Sequence, residues 1–196
     1  MELEYKDGQT PLEDEEKHGL LIKSISTHGE LNELEQLNIQ KAVAWTLERN
    51  FKTQTILTEQ FIKRVHQKMF GDVWAWAGQF RKSEKNIGVS WIKIAIELKY
   101  LLDNTQFWIE NHTFPPDEIA IRFKHQLVSI HCFPNGNGRH SRLMADILIE
   151  SVFNKNVFSW GYVNMTAPNE TRQKYILALR AADKGDMKPL VEFARG

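Results

Sequence analysis

A single cysteine, Cys132, stands in a chain of 196 residues. It excludes an internal disulfide and fits a reducing compartment. An excess of either charge is missing too. Lys and Arg together number 25 and Asp and Glu together number 25, so no net basic field gathers nucleic acid. No uninterrupted apolar run approaches the ~20 residues of a membrane-spanning helix. The N-terminal run Met1-Glu2-Leu3-Glu4-Tyr5 has neither the basic nor the apolar region of a signal peptide. The expectation is a cytoplasmic protein with no membrane and no nucleic-acid partner. Repeats, low-complexity tracts and sustained strand alternation are also absent. The hydrophobic content, 42%, is that of a globular protein, and the length suits one domain with a sizeable core.

Helical spacing dominates what is present. Residues 1–19 are polar and acidic and read as an extended arm, followed by a short apolar patch over 20–25. The spacing predicts a helix over 29–51, with Leu31, Leu34, Ile39, Ala42, Val43 and Trp45 mostly on one face. Thr58 is a good N-cap for a second helix carrying Phe61, Ile62, Val65, Met69 and Phe70, which Gly71 stops. His66 lies there and reads as a packed or surface histidine. Trp74, Trp76 and Phe80 read as core. Residues 91–111 read as a helix, Pro116 opens the next, and Ile119, Phe123, Leu127 and Ile130 form its apolar stripe. Leu143, Met144, Ile147 and Leu148 anchor the helix after it, and a last long helix runs from 166–168 through Ala182 to a stop at Gly185. Only residues 80–91 break the pattern; Asn86 and Gly88 favour a turn there, which predicts a surface loop or a hairpin. The class is all-α with one hairpin.

Two apolar helical patterns meet at His131-Cys132-Phe133-Pro134-Asn135-Gly136-Asn137-Gly138-Arg139-His140-Ser141-Arg142. A loop that delivers backbone N–H groups to the start of a helix binds anions, because those amides lack intrahelical partners and sit at the positive end of the macrodipole. Gly136 and Gly138 allow a sharp turn and close approach of a ligand. Arg139 and Arg142, three residues apart, share a helix face and suit adjacent phosphate groups. His131 can exchange a proton near neutral pH. Phe133 reads as the core anchor of the loop, and Asn137 either holds the turn or donates to phosphate. Cys132 reads as a small packed residue. A metal site built from His125, His131, Cys132 and His140 is the weaker alternative, since no C-x-x-C or H-E-x-x-H spacing exists.

The pattern His131-x-Phe133-x-Asn135-Gly136-Asn137-Gly138-Arg139-x-x-Arg142 resembles the signature of the Fic family, H-x-F-x-D/E-G-N-G/K-R-x-x-R. The run from Ile130 to His140 further resembles the Fic-related group called mobile mystery protein B. The resemblance implies an all-α, Fic-type helical bundle with a small β-hairpin flap. It divides the chain into an N-terminal arm and helix with a candidate inhibitory segment (1–57), a Fic domain (58–185) and a C-terminal element (186–196). It implies transfer of AMP from ATP to a Tyr, Thr or Ser hydroxyl of a target protein, with His131 as base. Gly136, Asn137, Gly138, Arg139 and Arg142 would hold the nucleotide phosphates, and the flap, Asn86, Ile87, Gly88 and Val89, would pair with a target segment by strand addition. Asn135 departs from the pattern: the family's carboxylate there holds Mg²⁺, and an amide brings no charge to a hard cation. The alternative is therefore a nucleotide- or phosphate-binding module with weak or no transfer. The family's inhibitory pattern, S/T-x-x-x-E-G/N, is matched in part by Ser26 and Glu30, with Leu31 in place of Gly or Asn. Glu30 also suits the first turn of a helix on its own account. A homo-oligomer or an antitoxin partner is left open.

Overall fold

The computed structural model describes residues 18–25, 27–161 and 168–196. Helix α1, His28–Leu47, starts at Thr27, whose hydroxyl accepts the Glu30 N–H while the Glu30 carboxylate accepts the Thr27 N–H. This reciprocal capping box satisfies two otherwise orphaned donors. The helix ends four residues before the predicted stop. Phe51 folds back to pack on Trp45 and Phe61, with ring centroids 5.2 and 4.8 Å apart, a position a continuing helix would carry it away from. A short helix α2, Thr53–Ile56, follows. Helix α3, Glu59–Phe70, is capped as expected by Thr58, which accepts the Phe61 N–H at 3.2 Å, and ends at Gly71.

A 3-10 turn at Trp91–Lys93 leads into α4, Ile94–Glu110. Pro116 opens α5, Pro116–Ile130, where its missing N–H costs no hydrogen bond. Then come α6, Asn137–Phe153, α7, Pro168–Asp183, and α8, Lys188–Arg195. Ser26, half of the candidate inhibitory pair, lies outside the described residues.

The core centres on α5 packed along α6, with α4 against α5, α1 against α3, and α3 against α6. Ile119, Phe123 and Leu127 from α5 and Met144, Ala145 and Leu148 from α6 are buried in it. Helix α8 closes the far end against α7 and α5. Its Arg195 grips Asp117 at the start of α5 through two contacts of 2.8 Å, and hydrogen bonding from Arg195 holds the Asp117 carboxyl below the usual carboxylate range.

The predicted β-hairpin is not formed. Among the described residues there is no strand, only an isolated bridge between Leu20 and Trp74. Residues 82–90 run as bends and irregular chain. The carbonyls of Ser83 and Val89 accept from the Arg81 guanidinium, which holds this segment on a side chain instead of on a second strand. Residues 131–136, joining α5 to α6, sit at one end of the central helix pair, with residues 81–89 beside them.

Candidate active site

Helix α5 ends on His131 in the left-handed conformation, φ 57° and ψ 60°, an uncommon backbone for a side chain of this size. The chain then dives inward. The Phe133 ring is fully buried, stacked on the His66 ring at 3.7 Å and met edge-on by His140 at 5.1 Å. Asn137 locks the turn with both ends of its amide. Its Oδ1 accepts the Phe133 N–H at 2.9 Å and its Nδ2 donates to the Phe133 carbonyl at 2.8 Å. Its side chain therefore holds the loop.

His66 is the residue that sequence reasoning undervalued. It is fully buried; its Nδ1 accepts the Gly78 N–H at 3.0 Å, which leaves Nε2–H to donate to the Asn135 carbonyl at 3.0 Å. Burial, reinforced by the nearby His140 and opposed by the Asn135 carbonyl, holds its pKa well below the usual histidine value. His140 is likewise pushed down to about 4 by burial and donates through Nε2 to the Ile62 carbonyl at 3.0 Å. Two neutral imidazoles thus clamp the loop from the α3 side. The signal for His66 was its register, four residues from Ile62 and from Phe70 on the buried face of α3.

Gly136 is the N-cap of α6 at φ 78°, and a Cβ there would lie 2.5 Å from the Phe70 ring. Only glycine fits. Gly138 is different: it is helical, so the turn does not require it, and a Cβ there would meet nothing within 4 Å. No side chain caps the α6 N-terminus, the positive end of a 17-residue helix. Gly138→Ala is therefore expected to stabilise the fold by about 0.5–1 kcal/mol through helix propensity while weakening nucleotide binding by filling that space. Melting curves beside calorimetric titration with ATP check this; unchanged affinity would remove Gly138 from the ligand site.

The two signature arginines are held by different neighbours. Arg139 pairs through Nη1 with Glu35 Oε2 at 2.7 Å and lies over the Phe70 ring. Glu35 is buried on α1, and its other oxygen accepts the Trp74 Nε1–H at 2.7 Å. Arg142 instead lies over the Tyr175 ring, 5.9 Å from its centroid, and the Tyr175 hydroxyl accepts from the fully buried Lys124 at 2.5 Å. Burial and the repulsion of Arg142 push the Lys124 amine down to about 7. Glu30, the sequence candidate for an inhibitory carboxylate, is exposed and closes the capping box with Thr27.

His131 itself is buried, and its pKa is pushed down to about 4, first by burial, then by the Arg81 and Lys85 cations, against the Val128 carbonyl. It is a neutral imidazole at physiological pH, the state a general base requires. Cys132 is buried and pushed up to about 12 by that burial, so it is a packed thiol and no nucleophile. His125 pairs with Asp183 at 2.8 Å, and no group of three His, Cys, Asp or Glu that could hold a metal occurs among the described residues. Asn135 turns its Oδ1 onto the Gly136 N–H at 2.5 Å. A neutral, already engaged amide does not make a protein-held Mg²⁺ site.

Residues 56–149, the stretch that carries this loop, match the model of the Fic/DOC family. Among curated proteins, the chain is 27% identical over 175 residues to the protein adenylyltransferase Fic of Aedes aegypti, covering 87% of this chain and 32% of the relative. It is 27% identical over the same length to the protein of that name from Drosophila melanogaster. The chain thus spans about a third of the length of these relatives. Among solved structures, Fic-1 of C. elegans superposes with a TM-score of 0.66 at 24% identity, covering 91% of this chain and 51% of the other. The BepC effector of Bartonella tribocorum, solved with AMPPNP bound, superposes with a TM-score of 0.67 at 17% identity, covering 92% and 96%. The fold is the Fic fold.

Proposed function

We infer that this protein transfers AMP from ATP to a hydroxyl side chain of a target protein. The observation that carries the reading is the loop between α5 and α6, which joins a buried neutral imidazole, His131, to the uncapped N-terminus of α6. The relatives' name, protein adenylyltransferase, supports the same activity, and a related fold holds AMPPNP. Within the family, the run Ile130 to His140 supports placement with the mobile mystery protein B group.

His131 takes the proton of the target hydroxyl as its oxygen attacks the α-phosphorus of ATP. The bond from that phosphorus to the β-bridging oxygen breaks, pyrophosphate leaves, and the product is an AMP–protein phosphodiester with His131 protonated. The catalytic demand is charge stabilisation. It falls on the main-chain amides of Gly136, Asn137 and Gly138 and on Arg139 and Arg142. The Gly136 N–H needs release from Asn135 to contribute. Mg²⁺ arrives as part of the nucleotide substrate. The target lies along Asn86, Ile87, Gly88 and Val89 and offers a Tyr, Thr or Ser hydroxyl. The test is mass spectrometry after incubation with ATP. An AMP adduct supports transfer; tight nucleotide binding with no adduct on any protein supports the binding-module alternative, which the engaged Asn135 amide favours.

Asn135→Asp discriminates further. A carboxylate about 4 Å from a cation is attractive by several kcal/mol at an effective dielectric of ~20, and ~1.4 kcal/mol of that is tenfold. The variant is expected to need about tenfold less Mg²⁺ for half-maximal transfer. An unchanged metal requirement would show that this side chain never meets the metal.

Autoinhibition enters through Arg139. A carboxylate on a signature arginine competes with phosphate, and among the described residues Glu35 makes that contact. Glu35→Gln keeps an acceptor for Trp74 and removes the charge; it is expected to raise nucleotide affinity severalfold. Glu30→Gly, in the same titration, separates the two candidates. A rise with Glu30→Gly alone would return the inhibitory role to the Ser26–Glu30 segment.

A further inference from the structure

We propose that Arg81 is a positioning residue for the transfer reaction: its guanidinium ties the target-binding segment 86–89 to the main chain of His131, so that segment and base are set as one unit. The inference rests on the function proposed above. Arg81 precedes the flap and its side chain is fully buried. Its Nε donates to the His131 carbonyl at 2.7 Å, its Nη1 to the Ser83 carbonyl at 2.8 Å, and its Nη2 to the Val89 carbonyl. The Arg81 main-chain N–H adds a bond to the Cys132 carbonyl at 2.9 Å. One side chain therefore joins the residue that supplies the base to Val89 at the end of the flap and to Ser83 in the chain leading into it.

The flap in turn lies on the base. A Cβ at Gly88, φ 98°, would sit 2.6 Å from the His131 Cβ and 3.1 Å from both the Ile130 carbonyl and Arg81 Nη2. The Val89 N–H donates to the Ile130 carbonyl at 3.3 Å. No side chain fits between flap and histidine.

The choice of arginine follows from the geometry. Three carbonyls approach one planar group from different sides, each meeting a different nitrogen, and a planar fork of five donors satisfies all of them at once. The Glu84 carboxylate is exposed and stands 3.9 Å from Nη1, whereas the carbonyl oxygens meet the guanidinium at hydrogen-bond distance. An ammonium carries the same charge on a single point and cannot span the three. The left-handed backbone of His131 makes its carbonyl direction sensitive to this contact. A target segment that pairs with the flap acts on Val89 and Ser83, and through Arg81 on the placement of the imidazole.

The experiment uses the full chain with Arg81→Lys, Arg81→Met and Gly88→Ala. Melting temperature and ATP affinity are measured first, then kcat and KM for protein modification. Amide exchange at Val89 and the NMR titration of the His131 ring are followed in parallel. Arg81→Lys is expected to fold and to bind ATP like the wild type, to lose about 10–100-fold in kcat through misplacement of the base, and to expose the Val89 amide to exchange. Arg81→Met, which also removes the charge, is expected to move the His131 midpoint upward beyond the lysine variant. Gly88→Ala is expected to lower kcat with the guanidinium intact.

Wild-type Val89 exchange and wild-type His131 titration in Arg81→Lys would overturn the coupling. So would a loss of ATP affinity as large as the loss of kcat, which would make Arg81 a general structural residue. If Arg81→Met does not fold, the lysine and Gly88 variants decide. If the wild type transfers nothing, the function proposed above fails on that result alone, while exchange and ring titration still decide whether Arg81 couples flap and histidine.

Discussion

Replacing His131 with alanine is expected to lower transfer by about 10²–10⁴-fold, the usual worth of a positioned general base, and to leave ATP affinity near the wild-type value. The separation follows from where the groups sit. In the proposed reaction phosphate binding draws on the α6 N-terminus and the arginines, whereas His131 closes α5 on the other side of the loop. The same residue sets the pH dependence. Its pKa is held near 4 by burial and by Arg81 and Lys85, so it is neutral at pH 7 and loses its capacity as base only as pH falls through that value. Bound polyphosphate raises a neighbouring histidine's pKa. The acid limb of kcat, which reports the complex, is therefore expected at higher pH than the limb of kcat/KM, which reports the free enzyme. Steady-state rates across pH 4–8 check both. A His131→Ala variant that keeps wild-type transfer would assign the base elsewhere.

Phe133→Ala is expected to remove about 3–5 kcal/mol of stability and to destroy nucleotide binding with it. The ring fills the space between His66, His140 and Phe80, and no exposed surface lets the site collapse, since Phe133 has 0% exposure. Its main chain is the frame on which Asn137 holds the turn. For a chain of this size, a loss of ~1 kcal/mol lowers the melting temperature by about 2–4 °C, so a fall of ~10 °C is predicted. Phe133→Leu fills part of the cavity and is expected to lose less in both measures. A Phe133→Ala protein that melts near the wild type would show that the loop is not anchored by this ring.

What the sequence made legible was local. Thr58, Gly71 and Pro116 act within one helical turn, and the structure places each where its chemistry predicts. The signature loop was legible because its residues are contiguous. The missed contributors act across long separations: His66 reaches Asn135 across 69 residues, Arg81 reaches His131 across 50, and Glu35 reaches Trp74 across 39. Nothing in their neighbours announces those partners. The strands of a hairpin are absent among the described residues because turn residues specify a reversal without specifying a ladder, and residues 83 and 89 are held by the Arg81 guanidinium. Gly138 was read as a turn residue because it sits beside Gly136, yet only Gly136 has the positive φ.

The most direct test of the central claim is a pair of incubations, one with ATP labelled in the α-phosphate and one with ATP labelled in the γ-phosphate, each with wild type and His131→Ala. Transfer of AMP predicts that the α-label becomes protein-bound, that the γ-label leaves in pyrophosphate, and that His131→Ala abolishes the first. Protein-bound γ-label would make the enzyme a kinase-like phosphoryl transferase and contradict the account. Equal α-labelling with and without His131 would contradict it as well.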